Sequence, residues 1–185
     1  RGSGLRGLIS LDKKNKKGLI NLNRPLLDQK KSDLIFLSNK IFEFYIKDPS
    51  NEKDKFLRIK IRKLITNLQK DGLDKNKLSM TIDNLKRSNN VIDFYVSENL
   101  KKNTFFSLKK DHLILNKKFF QQPYEVVFRA FSDSIQFVGK KYYPARGKKL
   151  DRIISDIEND KVYKSTLGGC VIEKVNQTVI ISKEY

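Results

Sequence analysis

Apolar and polar residues recur along the chain with helical spacing in five segments. SDLIFLSNKIF (32–42) and PYEVVFRAFSDSIQFVG (123–139) each predict one helix, and KKLDRIISDIEND (148–160) predicts a short amphipathic one. A longer helix is predicted from Lys53 to an end at Asp71-Gly72, with one apolar face formed by Phe56, Ile59, Leu64 and Leu68. Residues 74–103 predict two helices that meet at RSNN.

Shorter apolar runs predict strands. LINLNRPLL (19–27) predicts a strand that ends near Asn23, because Pro25 cannot donate to a ladder. EFYIKD (43–48) predicts a short strand, TFFSL and HLILN predict a strand pair, and TLGGCVIEKVNQTVIISKE (166–184) predicts a hairpin with its turn at VNQT. DKKNKKG (12–18) reads as an exposed polar turn. The pattern predicts an α/β opening, a mainly helical middle and a small α+β end.

The chain has 185 residues, and its formal net charge of +18 is its strongest global feature. Such a surplus favours polyanionic partners, because each phosphate that a protein neutralises releases condensed counterions. The abundance of Lys and Asn also suits AT-rich coding, and a basic surface that is merely solvated is the alternative. Nucleic acid is the partner class that the charge favours.

Several functional classes are excluded by composition. Cys170 is the one cysteine, so the chain can form no internal disulfide and no thiolate-rich zinc site, and it fits a reducing cytoplasm. No apolar stretch approaches the length of a membrane span, and no signal-peptide pattern opens the sequence. We therefore expect a cytoplasmic location, no membrane partner and no metal site.

Three short motifs in the first third carry candidate chemistry. RGSG (1–4) can present backbone N–H groups to an anion, although a flexible turn is the simpler reading. DPSN (48–51) places a carboxylate and an amide at a tight turn that could equally cap the next helix. FLRIKIRK (56–63) sets Arg58 and Arg62 four residues apart on one helix face, as a solvated basic stripe also would.

Taken in order, these motifs carry a family resemblance. RGSG-x-x-GL, RPLL (24–27), DPSN and R-x-(R/K)-I-R (58–62) together resemble tRNA(Ile)-lysidine synthases of the PP-loop ATPase family. YPARGKKL and TLGGCVIEK near the end are similar to the end of the shorter members. The resemblance therefore touches both ends of the chain.

The resemblance implies a ligase. Such enzymes attach L-lysine to C2 of the wobble cytidine of tRNA(Ile) with a CAU anticodon, through an intermediate that ATP with Mg²⁺ adenylates, and so change AUG decoding to AUA decoding. Their SGGxDS phosphate loop precedes RGSG and is not in this sequence, and LGGC does not replace it because it lies in a strand pair. We expect a C-terminal portion that is inactive by itself and binds ATP mainly through the absent region.

The implied organisation has three parts. Residues 1–62 would be the end of the Rossmann-like PP-loop catalytic domain, residues 63–104 a helical linker that contacts tRNA, and residues 105–185 a small α+β domain that binds tRNA. A homodimer is a further expectation, because several family members are dimers.

The resemblance also implies site residues, although no catalytic group can be assigned. The substrate pocket would be bordered by Arg1, Gly2, Ser3, Gly4, Arg24, Asp48, Asn51, Arg58 and Arg62. Ile59 stands where the family commonly has Asn, and Lys60 stands for a common Arg. Contacts with tRNA are expected from Lys60, Lys63, Lys140, Lys141, Tyr142, Arg146, Lys148 and Lys149.

The last of these residues form a segment in which tyrosines alternate with cations. Tyr142 and Tyr143 can stack on RNA bases while the neighbouring lysines contact phosphates. A pair of core-facing tyrosines beside a solvated loop is the alternative. For the chain as a whole, two other functions stay open: a stand-alone basic RNA-binding module without catalysis, and an assembly protein that binds ribosomal RNA.

Overall fold

The computed structural model describes residues 4–9, 11–17, 20–49, 57–107, 111–161 and 164–184. These residues form a mixed α/β structure, which confirms the predicted class. The chain divides into two compact units, Arg1–Arg87 and Ser88–Tyr185. The assignment of residues 1–62, 63–104 and 105–185 to separate functional parts stays a prediction.

The first unit contains short elements and one long helix. In chain order these are α1 (Gly4–Leu8), β1 (Lys14–Lys17), β2 (Ile20–Asn23), α2 (Lys31–Phe42), α3 (Leu57–Lys70) and the start of α4 (Lys75–Asn103). The strand predicted to end near Asn23 and the helices at α2 and α3 are confirmed, while the predicted start of the second helix at Lys53 lies outside the described residues.

The predicted polar turn at DKKNKKG is wrong, because its centre forms β1. This strand pairs antiparallel with β2, with Lys14 opposite Asn23 and Lys17 opposite Ile20. Backbone pairing does not require apolar side chains, and every residue of β2 is exposed. All four residues of β1, KNKK, are polar, so this strand lacks the apolar–polar alternation by which a strand is recognised.

The predicted strand at EFYIKD is also wrong, since residues 43–48 adopt no regular structure. Glu43 ends α2 in the left-handed conformation, with φ of 63°, and its N–H donates to the carbonyl of Asn39. The Ser38 hydroxyl then donates to the Phe44 carbonyl at 2.9 Å. The helix-ending turn thus uses backbone groups that a strand ladder would need.

Apolar side chains of the first unit are mostly exposed. Among its described residues, Ile59 is the one buried hydrophobic side chain. The face predicted for α3 is therefore not buried as a whole, because Leu64 and Leu68 are exposed. The helix α2 also carries exposed apolar side chains, namely Phe36, Leu37, Ile41 and Phe42.

One continuous helix, α4, replaces the two that were predicted around RSNN. Asn89 lies in its middle and is buried. Its amide donates to Asp93 Oδ2 at 2.6 Å and accepts from Arg129 Nη1 at 2.6 Å. These side-chain partners stop the amide from competing for the helix backbone, which is the usual reason that asparagine ends a helix.

A five-stranded sheet forms one layer of the second unit. Its strand order is β3-β4-β7-β6-β5, and every neighbouring pair is antiparallel. The strands are β3 (Thr104–Ser107), β4 (His112–Leu115), β5 (Lys164–Leu167), β6 (Cys170–Val175) and β7 (Thr178–Lys183). The strand pair at TFFSL and HLILN and the C-terminal hairpin, whose turn lies at residues 176–177, are confirmed.

Helices cover this sheet and close a continuous core. They are α5 (Lys117–Phe120), α6 (Tyr124–Gly139) and α7 (Gly147–Glu158). In α7 the buried residues are Leu150, Ile153, Ile154 and Ile157, which is the spacing of one helix face. They pack with Phe119, Phe131 and Ile135 from the other helices and with Leu115, Ile172 and Ile181 from the strands.

A buried ion-pair network ties α4 to α6. Arg129 is 3% exposed, and its Nε donates to Glu125 Oε1 at 2.7 Å. Its Nη1 donates to Asn89 Oδ1 and, at 3.1 Å, to Asp93 Oδ1. A guanidinium with these partners can be buried at modest cost, because each contact replaces hydration that it has lost.

Among the described helices, none is long and apolar enough to cross a membrane.

Candidate nucleic-acid interface

The tyrosine–lysine loop, residues 140–149, runs from the end of α6 into the first turn of α7. Lys140 adopts the left-handed conformation that ends α6, with φ of 49°. Tyr142 and Tyr143 are 63% and 76% exposed, and their rings meet edge to face at 4.7 Å between centroids. The alternative of a core-facing tyrosine pair is therefore wrong, and both rings are accessible to a ligand.

An open groove of about 410 Å³ lies beside this loop. From the loop it is lined by Lys141, Tyr142, Tyr143, Pro144, Ala145, Arg146 and Lys149, and from the opposite side by Leu167, Gly168 and Gly169. Lys140 and Lys148, which were predicted beside them, are exposed but do not line the groove. The structure thus brings together four of the six predicted contacts of this segment, Lys141, Tyr142, Arg146 and Lys149.

The glycine turn, Gly168-Gly169, holds the loop in place. Both residues have positive φ, 65° and 76°, which glycine adopts without strain. A Cβ at Gly169 would lie 2.9 Å from Lys141 Cε, so the lysine stem crosses the turn where glycine leaves room. The turn joins β5 to β6, which confirms that LGGC lies in a strand pair. Its place in the groove was missed, because no sequence signal connects it with residues 140–149.

The base of the turn is fixed by the end of α6. Cys170 is fully buried, and its thiol donates to the Ile135 carbonyl at 3.3 Å. Burial raises the pKa of this thiol to about 11. The thiol therefore stays protonated at neutral pH and packs as a small apolar side chain.

The groove can bind a nucleic-acid strand by two kinds of contact. Aromatic faces stack on bases of any sequence, and lysine and arginine contact the phosphates between them. Gln136 Nε2 donates to the Tyr142 carbonyl at 3.0 Å and so fixes the backbone that carries the first ring. The combination of exposed aromatic rings and cations in this groove suits single-stranded or unpaired RNA better than a duplex, because the bases of a duplex are already stacked on one another.

Four basic residues predicted on α3 are all exposed. Arg58 and Arg62 lie one helical turn apart on one face, whereas Lys60 and Lys63 project from other sides of the helix. Ile59 is buried, whereas the residues on either side of it in the sequence are exposed. The helix therefore presents a cationic face, as its spacing predicted.

Arg24 makes a structural contact that the sequence did not indicate. Its Nη1 donates to the Asp12 carbonyl at 3.0 Å, and the Asp12 carboxylate accepts from Lys86 Nζ at 2.8 Å. These bonds connect the end of β2 to the segment before β1 and to α4. A role of Arg24 in a substrate pocket, in addition to this structural contact, stays a prediction.

The other predicted pocket residues are only partly described. Arg1, Gly2, Ser3 and Asn51 lie outside the described residues. Gly4 begins α1 and is exposed with φ of 58°, and a Cβ built on it would meet nothing within 4 Å. Asp48 is exposed just before Pro49.

Comparison with known proteins supports the motif-based resemblance. Residues 1–69 match the family model of a PP-loop domain. The whole chain aligns with the tRNA(Ile)-lysidine synthases of Wolbachia pipientis wMel, at 28% identity over 187 residues, and of Orientia tsutsugamushi, at 30% identity over 201 residues. It spans 43% of the length of each of these relatives. The resemblance predicted from the ordered motifs is thereby confirmed.

Proposed function

From a chain that is similar throughout to tRNA(Ile)-lysidine synthases, we propose that this protein works as part of such an enzyme. The observation that carries the proposal is the alignment of all its residues with these ligases, together with the PP-loop match of residues 1–69. Its substrates would be L-lysine, ATP and tRNA(Ile) with a CAU anticodon. Lysine would be joined to C2 of the wobble cytidine after ATP adenylates that base.

ATP would be held mainly by the region that carries the SGGxDS phosphate loop. Arg58 and Arg62 carry the guanidinium groups that suit bidentate contacts with phosphate. These two residues would border the substrate pocket or contact the anticodon region.

The two ends of the chain would share the work. Residues 1–62 would complete the catalytic domain, and residues 63–104 and 105–185 would contact the tRNA. The exposed apolar side chains of α2, namely Phe36, Leu37, Ile41 and Phe42, support the first assignment. Such a surface is unusual on a finished domain and suits a contact with the rest of a catalytic domain.

Within the part that contacts tRNA, the tyrosine–lysine loop is the best-supported element. Its two tyrosines are exposed, and three of its cations line one groove with them, Lys141, Arg146 and Lys149. A stand-alone RNA-binding module would explain this groove too, but it would not explain the PP-loop match of residues 1–69.

Lysine incorporation tests the proposal. We would measure transfer of labelled lysine to tRNA(Ile) by a polypeptide that carries both an SGGxDS phosphate loop and residues 1–185, and by residues 1–185 alone. The longer polypeptide should modify the tRNA, and the chain alone should bind it without modifying it. Absence of incorporation by a folded longer polypeptide would contradict the proposal.

Substitutions on α3 sharpen the test. Arg58→Ala and Arg62→Ala should each lower incorporation roughly 10- to 100-fold, the value of a lost hydrogen bond to a charged group, with little change in melting temperature. Arg152→Ala is the matched control, because Arg152 is 85% exposed on α7 and only 3.8 Å from Asp156 in a surface ion pair. An equal effect of all three substitutions would remove the special role of α3.

A further inference from the structure

A second cationic pocket lies in the second unit, away from the tyrosine–lysine loop. This lysine pocket has a volume of about 660 Å³ and is lined by Lys102, Asn103, Asn116, Lys117, Lys118, Gln122, Gln177 and Thr178. Its lining holds three lysines, four amide side chains and one hydroxyl, and it includes no Asp or Glu. Such a surface attracts anions and offers hydrogen-bond donors to their oxygen atoms.

The floor of the lysine pocket is a chain of asparagine amides. Asn116 Nδ2 donates to Asn103 Oδ1 at 3.3 Å, and Asn103 Nδ2 donates to Asn99 Oδ1 at 2.8 Å. Asn99 Nδ2 then donates to the Phe119 carbonyl at 3.2 Å, and Asn116 Oδ1 accepts from the Phe119 N–H. Two of these bonds, Asn116 to Asn103 and Asn99 to the Phe119 carbonyl, hold the end of α4 against α5 and its cap, so the lysines project from a fixed base.

Two of the three lysines contribute positive charge at the rim. Lys117 and Lys118 are exposed on α5. Lys102 is partly neutralised, because its Nζ lies 2.7 Å from Glu98 Oε2. The carboxylate of Asp160 is paired with Lys174 and not with Lys117. Lys174 is the main cause of the lowered pKa of Asp160, and Lys117 makes the smallest contribution to it. Lys117 and Lys118 are therefore the cations best placed to receive an anion.

The lysine pocket and the tyrosine–lysine groove lie at opposite ends of one strand. The glycine turn of the groove comes just before β6, and Gln177 and Thr178 of the lysine pocket come just after it. The six residues of β6 lie between Gly169 and Asn176, so these two residues are seven steps of extended chain apart, or about 23 Å. A single nucleotide cannot bridge that distance, whereas an RNA strand with several phosphates along its length is long enough to reach both ends.

We propose that the lysine pocket binds backbone phosphates of the same RNA that the tyrosine–lysine groove binds, so that the sheet is held to its substrate at both ends. The inference rests on the proposed function, because it takes tRNA as the polyanion. Bases would be contacted at the groove, and the lysine pocket would add affinity and orientation without reading sequence.

The test compares two double variants of residues 1–185 in binding to tRNA(Ile) across a salt series. K117Q/K118Q removes two exposed charges from the lysine pocket. K31Q/K47Q is the matched control, since it removes two exposed lysines of the first unit that belong to neither surface. Both variants lower the net charge equally, so a difference between them reports a local contact and not the overall field. K117R/K118R restores the charge.

We expect the slope of log K against log salt to become shallower by about 1.8 for K117Q/K118Q, or about 1.4 if the contacted RNA is single-stranded. K31Q/K47Q and K117R/K118R should keep the wild-type slope, and melting temperatures should agree among all four proteins. Equal slopes for K117Q/K118Q and the control would overturn the inference and leave the proposed function intact. Absence of tRNA binding by the wild-type chain would instead count against the proposed function.

A competitor separates RNA from an acidic protein as the ligand. Poly-glutamate that displaces tRNA from the wild type but not from K117Q/K118Q, with no change in the tRNA salt slope, would assign the pocket to an acidic protein and overturn the inference. Equal displacement from both proteins, together with the shallower slope, supports it.

Discussion

Gly139 is the position where one added methyl group should do most damage to the second unit. It is the last residue of α6, and a Cβ built on it would lie 2.4 Å from the Gly168 carbonyl oxygen and 3.1 Å from Cys170 Sγ. The first of these neighbours is backbone, so it cannot rotate out of the way. Gly139→Ala must therefore push the glycine turn and the end of α6 apart.

The expected cost follows from two opposing effects. Overpacking of a well-packed site costs about 1–3 kcal/mol, and alanine gains up to about 1 kcal/mol over glycine in a helix. Gly139→Ala should therefore lower the free energy of unfolding by about 1–2 kcal/mol. For a unit of this size such a loss corresponds to a fall in melting temperature of roughly 5–15 °C, measured by circular dichroism.

Gly147→Ala is the control, because a Cβ there would lie 3.6 Å from Phe128 Cζ, an ordinary contact. Gly147 begins α7 at a position without positive φ, so alanine should leave stability unchanged or raise it by about 0.5–1 kcal/mol. The reasoning is refuted if the Gly139 variant melts at or above the temperature of the Gly147 variant.

Three further substitutions or measurements test the second unit. Arg129→Ala should cost about 3 kcal/mol in urea unfolding, the lower part of the range for a broken buried pair, because Glu125 is half-exposed and can regain water; a loss below about 1 kcal/mol would show that the network is not stabilising. Tyr142→Ala and Tyr143→Ala should weaken RNA binding by about 1–3 kcal/mol for each lost stack at an unchanged melting temperature, and unaltered affinity would exclude stacking. The Cys170 thiol should resist iodoacetamide at pH 8 in the folded chain, because its pKa is raised from 9.0 to about 11, and rapid alkylation of the folded chain would contradict this assignment. The folded state keeps the thiol proton to a higher pH than the unfolded state does, so the free energy of unfolding should fall as pH rises from about 9 to 11.

In the second unit, the elements that the sequence predicted correctly have side chains that pack on one side. In α7 the apolar residues recur with a helical period because one face is buried, and the hairpin around VNQT alternates because β6 and β7 belong to a covered sheet. β1 was missed because its sequence, KNKK, is entirely polar and has no such period. In α7 and in the covered sheet, the period of the apolar residues therefore follows burial.

Long-range contacts explain the remaining errors. RSNN looks like a helix end in isolation, and the Asn89 amide is satisfied within the helix by Asp93 and by the guanidinium of Arg129, which lies 40 residues further along the chain. In the candidate interface, the exposure of Tyr142 and Tyr143 agrees with an accessible loop, and contact of this loop with RNA stays a prediction. The glycine turn across the groove could not be found in that way, because its pairing with the loop exists only in three dimensions.

The asparagine chain under the lysine pocket has a direction, since each amide donates to the next and none can be reversed alone. Hydrolysis of the Asn103 amide to a carboxylate would set two oxygen acceptors face to face, against Asn99 Oδ1. Rotating Asn99 to relieve this would turn its own oxygen toward the Phe119 carbonyl and move the conflict one step along. Chemical ageing at one side chain would therefore loosen the whole junction of α4 with α5, and storage at alkaline pH should affect this corner of the fold before the apolar core.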